Sequence, residues 1–442
     1  MNPVAIAFTL LSGIALLAVP RGWACLPLIS GACFVSLGQV IQIGPFSFTV
    51  IRLLVAAAAL RVVIRRETPA GGWIGLDLAF ILWALWACSS SLFHGDPRSD
   101  LIYKLGQSYD ACGLYFLVRI FCVSIQDVIR LARITAIILV PVALGMLYEH
   151  LAMYNWFSIF GGVPAAPMVR NGTIRSFGPF MHPILAGTVG ACVLPLTIGL
   201  WRIERVAALI GSVACLAMVL ASGSSGPVLS ALAGVAALCL WPLRLRMRTI
   251  RWLGVAVYLG LELVMKVPAY YIISRLDVTG SSTGWHRAAL IESALKHLDE
   301  WWLGGTDYTR HWMPTGVSWS PNHTDITSQY VNMGVIGGLP LLGLFIAWLA
   351  VAFRYVGRGI RTFRGGAERW FVWALGAALF AQAVTCVSVA YFDQSVVFLY
   401  MTLGAIGAVG AAMKKAPRSA SPVHKRNVKA LVPVNAAVQA VI

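Results

Sequence analysis

Charged residues are scarce in this chain of 442 residues: they make up 12% of it, against roughly a quarter in an ordinary soluble domain, and only 17 are Asp or Glu. So little charge cannot cover a water-exposed surface when 59% of the residues are hydrophobic, which excludes an ordinary globular protein. No Asp-x-Asp triplet occurs, so the carboxylate pair that commonly holds a divalent cation on a diphosphate is missing. The cysteines, Cys25, Cys33, Cys88, Cys112, Cys122, Cys192, Cys215, Cys239 and Cys386, all fall in apolar segments and form no C-x-x-C pair. They read as small buried hydrophobes, not as a zinc or redox motif. No Lys or Arg precedes the first apolar run and no small-residue cleavage site follows it, so a removed signal peptide is not expected. There is no internal repeat and no duplication of halves of the kind common in transporters.

Long apolar runs are abundant. A helix needs about 20 mostly apolar residues to cross a bilayer. Candidate spans fall near 3–19, 24–41, 46–64, 73–92, 101–123, 131–150, 183–201, 206–222, 226–242 and 252–267, and after a polar stretch near 329–353, 370–390 and 395–413. This predicts an all-α polytopic membrane protein with about 12 (12 or 13) transmembrane helices. Such continuous hydrophobicity excludes an outer-membrane barrel, whose strands alternate over about ten residues. The chain divides into N-terminal transmembrane helices (1–267, including a polar segment 151–182), a long loop with amphipathic helices (268–328), three last transmembrane helices (329–413) and a basic tail (414–442) expected to be disordered.

The formal net charge is +17, from 34 Lys and Arg. These lie in short clusters between apolar runs, so they report topology and not nucleic-acid binding. Lys414, Lys415, Arg418, Lys425, Arg426 and Lys429 mark the tail; Arg354, Arg358, Arg361, Arg364 and Arg369 mark one connection, and Arg244, Arg246, Arg248 and Arg251 another. All three belong on the cytoplasmic side. Counting spans back from a cytoplasmic tail puts 268–328 outside, and 151–182 with it. The side of the N-terminus stays open: ten spans before the loop put it outside, nine put it inside, and Arg21 and Arg52 decide little.

The loop 268–328 holds His286, His297, His311 and His323, half of the histidines, with Trp285, Trp301, Trp302, Trp312, Trp319, Tyr270, Tyr271 and Tyr308. Such aromatics either anchor at headgroup level or stack on sugar rings. Ser281, Ser282 and Thr283, followed by apolar residues at 288, 291, 294, 295 and 298, predict an N-capped amphipathic helix lying on the membrane surface. Arg287 falls in its first turn, where the helix dipole disfavours a cation, so something else calls for the charge, the alternative being an Arg that reaches lipid phosphates or a neighbouring carboxylate.

Residues 161–187 are rich in Gly and Pro and cannot form one regular helix. They place Arg170 and Arg175 outside, against the general bias. A guanidinium fork matches phosphate oxygens and stays charged, so both are candidates for binding a diphosphate or for reaching lipid headgroups. Lys104, at the outer end of the fifth span, adds a candidate point charge or snorkels to the interface. His323 precedes the helix that re-enters the membrane. A position at that helix N-terminus lowers an imidazole pKa and suits a general base, the alternative being a capping or interfacial role. Small residues from Gly334 to Gly338 permit close helix packing.

At these residues the chain resembles the bacterial O-antigen ligases, in the larger O-antigen ligase and polymerase superfamily. The ligase pattern His-[Asn/Ser/Gln]-x9-Gly-x-x-[Gly/Thr/Tyr] is matched by His323, Gly334 and Gly337, with Thr324 departing at the second position. Gly284-Trp285-His286-Arg287 resembles the family arginine ahead of its loop helix, and Arg175-Ser176-Phe177-Gly178 resembles its Arg-x-x-Gly element. The family often has an Arg after a Ser or Thr in a short external turn. Here the turn 221–226 has none, and the resemblance points to Arg170 or Arg310 in its place. It implies a glycosyltransferase at the periplasmic face of a Gram-negative inner membrane, without metal or other cofactor. The donor is an undecaprenyl-diphosphate-linked O-antigen, the acceptor is lipid A–core, and the other partners are membrane lipids, not nucleic acid. His323 is then the base, and Arg175, Arg287, Arg170 and Lys104 the diphosphate-binding set.

Two related readings share the layout. An O-antigen polymerase lengthens the lipid-linked glycan, and a protein O-oligosaccharyltransferase uses a protein hydroxyl as acceptor. A lipid-linked glycan transporter is the non-enzyme alternative, for which Arg52, Asp77, Asp110 and Arg119 are the ionisable residues within spans.

Overall fold

The apolar runs fold as helices in the order the sequence suggests. The computed structural model describes residues 1–275 and 284–415. Ser281, Ser282 and Thr283, and the tail beyond Lys415 with Arg418, Lys425, Arg426 and Lys429, lie outside the described residues. The chain begins with α1 (Pro3–Ala18), α2 (Cys25–Phe34), a hairpin of β1 (Val40–Ile43) and β2 (Phe46–Thr49), and α3 (Val50–Arg65). Then follow α4 (Gly75–Ser89), α5 (Pro97–Phe121), α6 (Ile125–Ala152), a hairpin of β3 (Met168–Arg170) and β4 (Thr173–Arg175), α7 (Pro183–Gly199), α8 (Arg205–Ala221), α9 (Ser225–Cys239) and α10 (Met247–Val264). The polar stretch carries α11 (Gly284–Lys296), α12 (Leu298–Trp301) and a hairpin of β5 (Ser318–Ser320) and β6 (His323–Thr324). The chain returns through α13 (Gln329–Thr362), α14 (Gly366–Ser388) and α15 (Val396–Lys415).

Among the described residues, six helical segments are long and apolar enough to cross a membrane: Gly75–Phe93, Ile125–Ala152, Pro183–Arg202, Gln329–Thr362, Gly366–Ser388 and Val396–Lys414. A seventh is added if α10 and the 3₁₀ turn Ala269–Arg275, bent by 87°, form one span. The helices α1, α8 and α9 are apolar but shorter. The protein is therefore a helical membrane protein.

One expected span is not a continuous helix. The run 24–41 gives only Cys25–Phe34, ten residues or about 15 Å of rise, half of a bilayer core. The helix stops because Ser36 and Gln39 turn their side chains to other loops and Gly38 lies against Gly162, where a Cβ would come within 2.9 Å of backbone. The following Val-Ile-Gln-Ile and Phe-Ser-Phe-Thr runs pair antiparallel around a turn with Gly44 at φ 58°, so the expected span 46–64 begins only at Val50.

Four ionisable residues inside the bundle form two ion pairs. Arg119 meets Asp77 at 3.1 Å with both side chains buried, and Tyr115 donates to the same carboxylate at 2.6 Å. Arg52 meets Asp110 at 3.0 Å. The four residues that a transporter would use therefore join α5 to α4 and α3 as two ion pairs. Next to them Phe80 stacks between Tyr115 and Trp348, at 3.9 and 4.0 Å between ring centroids, locking α4, α5 and α13.

Hydrogen bonds sort the connections into two ends. At one end Asn2 donates to Ile159 O (2.8 Å), Ser36 to Gly162 O (3.1 Å), Gln394 to Pro179 O (2.7 Å) and Ser328 to Cys386 O (3.2 Å). At the other, Arg21 donates to Ile120 O (2.9 Å), Arg119 to Gly72 O (3.1 Å) and Lys414 to Trp73 O (2.6 Å), while Arg133 pairs with Glu204 (2.9 Å). The N-terminus thus shares its end with 153–182, the point that the charge of the first spans leaves open. Arg202 and Arg244 lie over Trp241, and Tyr355, beside Arg354, accepts from Gly75 N at the Lys414 end.

The loop after α10 has its own small core of Leu290, Ala294, Trp301, Trp312, Met313 and Val335. The apolar side of α11 faces this core, with Leu290 and Ala294 buried. Of its large hydrophobic residues, Trp285 and Leu295 are the exposed ones. The loop is seated on α13 by glycines. A Cβ at Gly334 would come within 2.5 Å of the Trp301 ring, and one at Gly338, whose φ is 74°, within 2.1 Å of Leu303 O. The backbone of α13 leaves helical geometry at Gly337 and Gly338. The small-residue pattern read as a helix–helix contact instead receives residues 301–305 of the loop.

Candidate functional site

The β3–β4 hairpin turns through Asn171 and Gly172, both with positive φ (50° and 74°), the two-residue turn that Asn-Gly favours. Its register pairs Arg170 with Thr173 and Met168 with Arg175, so Arg170 and Arg175 project from the same face. Past the hairpin, Ser176 N donates to Ala221 O at 2.9 Å. Glu149 of α6 accepts from Phe177 N and Gly178 N, at 3.2 and 2.8 Å. These bonds fix the Arg-Ser-Phe-Gly element between α6 and the α8–α9 turn.

Arg175 is 3% exposed. It donates through Nε to Ser222 O (3.4 Å) and through a terminal nitrogen to the hydroxyl of Ser224. The turn 221–226, which lacks an arginine of its own, therefore receives the side chain of Arg175. Gly223 allows this approach: its φ is 56°, and a Cβ would come within 3.0 Å of Arg175 Cγ. Burial, and then the charges of Arg170 and Arg287, bring the Arg175 pKa down to about 10.

Arg287 comes from the first turn of α11 and is buried. Its pKa is lowered by burial, supported by the Asp325 charge, and lowered again by Arg170. Its Nε is buried without a hydrogen-bond partner among the described residues. Three guanidiniums from two segments far apart in sequence thus repel one another in one place, with Asp325 as the carboxylate that acts on Arg287.

His182, which sequence reasoning passed over, belongs to this cluster. It is the N-cap of α7, and its Nδ1 accepts from Ile184 N at 3.1 Å, which puts the ring proton on Nε2. Burial, then Arg175 and Arg170, push its pKa down to about 4, so it is a neutral donor beside two cations. The signal was His-Pro at the start of an apolar run, a capping residue ahead of a first-turn proline.

His323 sits in β6 and not in the first turn of the re-entering helix, which starts at Gln329 with Ser328 as N-cap. Thr324 to Asp325 are tied to Thr309 and Val317, and this extends the chain instead of winding it. The helix dipole therefore does not act on His323. Its ring is oriented by Ser320, whose Oγ lies 2.9 Å from Nδ1. With Nδ1–H donated to that hydroxyl, Nε2 carries the lone pair. Asp325, which faces Arg287, is two residues away; His323 itself makes no described contact with Arg175 or Arg287.

Lys104 and Arg310 are placed otherwise. Lys104 is fully buried and pairs with Asp100 at 2.6 Å while donating to Ser90 at 2.8 Å. Beside it His94 bonds to Asp307 and, at 3.0 Å, to Gly304 O, tying the α4–α5 turn to the middle of the long loop. The Lys104 charge is thus matched within a structural tie and is not brought to the arginines. Arg310 donates to the carbonyls of Met313, Gly316 and Pro314, closing its own turn. Of the two replacements for the absent turn arginine, Arg170 is the one beside Arg175, and it is exposed. No family model matches the chain, and no curated protein matches it in sequence.

Proposed function

We propose that the protein is an inverting, metal-independent glycosyltransferase of the O-antigen ligase kind. It moves O-antigen from undecaprenyl diphosphate to lipid A–core at the periplasmic face of a Gram-negative inner membrane. The observation that carries this reading is the convergence of Arg170, Arg175 and Arg287, with neutral His182, at the end of the bundle away from the basic clusters. Concentrated positive charge on that side suits an anionic lipid carrier met there. The contacts between loops support thirteen passages, counting α2 with its extended continuation, and an N-terminus outside with 153–182 and the long loop. In the reaction, a hydroxyl of the acceptor sugar attacks the anomeric carbon and its proton passes to His323 Nε2. The bond from that carbon to the diphosphate breaks with inversion, and the negative charge on the departing lipid diphosphate is stabilised by Arg175 and Arg287. Arg170 and the Nε2–H of His182 add donors from the same side.

The test is purified full-length protein with lipid-linked O-antigen and lipid A–core in the presence of a chelator. A glycan–core conjugate is expected, and its loss in His323→Ala with donor binding retained. Normal ligation by that variant removes the base role. Arg287→Lys is expected to lose more activity than charge alone explains, because the fork is lost. Lipid-linked chains that lengthen without joining core overturn the ligase assignment in favour of a polymerase.

A further inference from the structure

Outside the arginine cluster, the long loop gathers His297, Glu300 and His311 so that one ligand atom from each lies within 4.8 Å of the other two. His297 and Glu300 are three residues apart at the α11–α12 junction, a spacing that puts both on one side of a helical turn. His311 comes from the 3₁₀ turn Arg310–Trp312. His297 and Glu300 are each oriented by a hydrogen bond from outside the cluster. His297 Nδ1 lies 2.8 Å from Ser293 O, a pure acceptor, so Nδ1 carries the proton and Nε2 the lone pair. Glu300 accepts from Trp312 Nε1 through one oxygen (2.9 Å) and faces His311 Nε2 with the other (2.8 Å). The rings are held by stacking, His311 on Tyr308 and His297 on Trp312, with planes 6° and 15° apart.

We propose that His297, Glu300 and His311 form a binding site for a divalent transition-metal ion of the zinc class, which clamps the α11–α12 junction to the 310–312 turn. Two imidazoles and a carboxylate suit zinc better than the hard cations, which prefer all-oxygen sets. Bonds of about 2.0–2.1 Å in a tetrahedron put ligand atoms about 3.3 Å apart, so the cluster closes on an ion with movements on the order of 1 Å. Binding needs the His311 proton on Nδ1, which frees Nε2 and exchanges the His311–Glu300 hydrogen bond for two bonds to the metal. Solvent takes the fourth position. The ion sits one helix away from Arg287: ten residues along α11 span about 15 Å, so it braces the helix that presents Arg287 without touching the diphosphate.

The experiment uses full-length protein in detergent, purified without a polyhistidine tag and stripped with EDTA. Co2+ is titrated in, followed by its visible absorption, and Zn2+ is then used to displace it. One equivalent per chain with a tetrahedral-type spectrum is expected. His297→Ala and His311→Ala should each weaken binding at least ten-fold, and the double variant should lose little more. Zn2+ should raise the melting temperature of the stripped wild type and leave that of stripped His311→Ala where it is without metal. A spectrum or stoichiometry unchanged in either single variant, or no bound equivalent in the wild type, overturns the site. None of these readouts involves glycan transfer, so failure here is separable from failure of the ligase reading.

Discussion

Arg175 and Ser224 are joined by a hydrogen bond from guanidinium to hydroxyl, across two connections that are 49 residues apart in sequence. The bond explains how a turn without a charge of its own still presents one. The hairpin supplies the arginine, Gly223 makes room for its stem, and the Ser222 carbonyl and Ser224 hydroxyl fix its plane. A buried arginine aimed by neutral partners keeps its full charge for an incoming anion.

Ser224→Ala removes that orientation while leaving the charge. A hydrogen bond to a charged group contributes about 1.5–3 kcal/mol, so binding of undecaprenyl diphosphate should weaken by roughly ten-fold to a hundred-fold, with KM for the donor rising and kcat falling less. Measuring donor affinity by titration on the detergent-purified variant checks this. Affinity equal to wild type would mean that Arg175 is held by the hairpin alone.

The Arg119–Asp77 pair makes a prediction about the bundle and not the site. Asp77→Ala strands a buried guanidinium and also removes the acceptor of Tyr115, a loss of about 3–5 kcal/mol by analogy with other broken buried pairs. Thermal unfolding in detergent should show it as a markedly lower melting temperature. The double variant Asp77→Leu with Arg119→Met should recover much of the loss, since neither charge is then left alone.

The helices were legible because a bilayer demands long apolar runs, and the boundaries of α7, α8 and α15 fall within two residues of the hydropathy breaks. The run 24–41 misled because hydropathy does not register that Ser36, Gly38 and Gln39 are needed by distant loops. Arg170, Arg175 and Arg287 stood out as charges on the side where charge is sparse. Lys104 stood out in the same way, but its partner Asp100 lies one helical turn away, and only burial reveals that the two neutralise each other. The nearness of His323 in sequence to an apolar run predicts a helix dipole at its ring, which the fold does not supply. The intervening residues pair with Thr309 and Val317, which no local pattern encodes.

Gly338 tests how the long loop is seated. Its φ of 74° and the Leu303 carbonyl 2.1 Å from a Cβ mean that Gly338→Ala meets both left-handed strain, about 1–3 kcal/mol, and a backbone clash that no side chain can relieve. Residues 301–305 should lift from α13, seen as faster amide exchange across 301–305 and a lower melting temperature. Gly343→Ala in the same helix meets nothing within 4 Å and should be neutral or slightly stabilising. Equal behaviour of the two variants would show that the loop does not depend on this contact.

His182 gives the site a pH signature whose sign follows from its surroundings. Its pKa falls from an ordinary value of 6.5 to about 4 in the folded protein, through burial and then Arg175 and Arg170. Above pH 6.5 the imidazole is neutral in both folded and unfolded chains and contributes no pH dependence. Between 6.5 and about 4 the unfolded chain takes up the proton and the folded chain does not, so stability declines on acidification, and below about 4 the loss is complete. Unfolding measured from pH 3.5 to 8 on wild type and His182→Asn, which keeps an N-cap, isolates this contribution because the other acid-titrating groups cancel in the difference. The difference should be flat above 6.5 and change only within the window. Inorganic pyrophosphate held by Arg170 and Arg175 would offset their charge and move the window toward 6.5. A window that ignores pyrophosphate would mean that the anion does not bind beside His182.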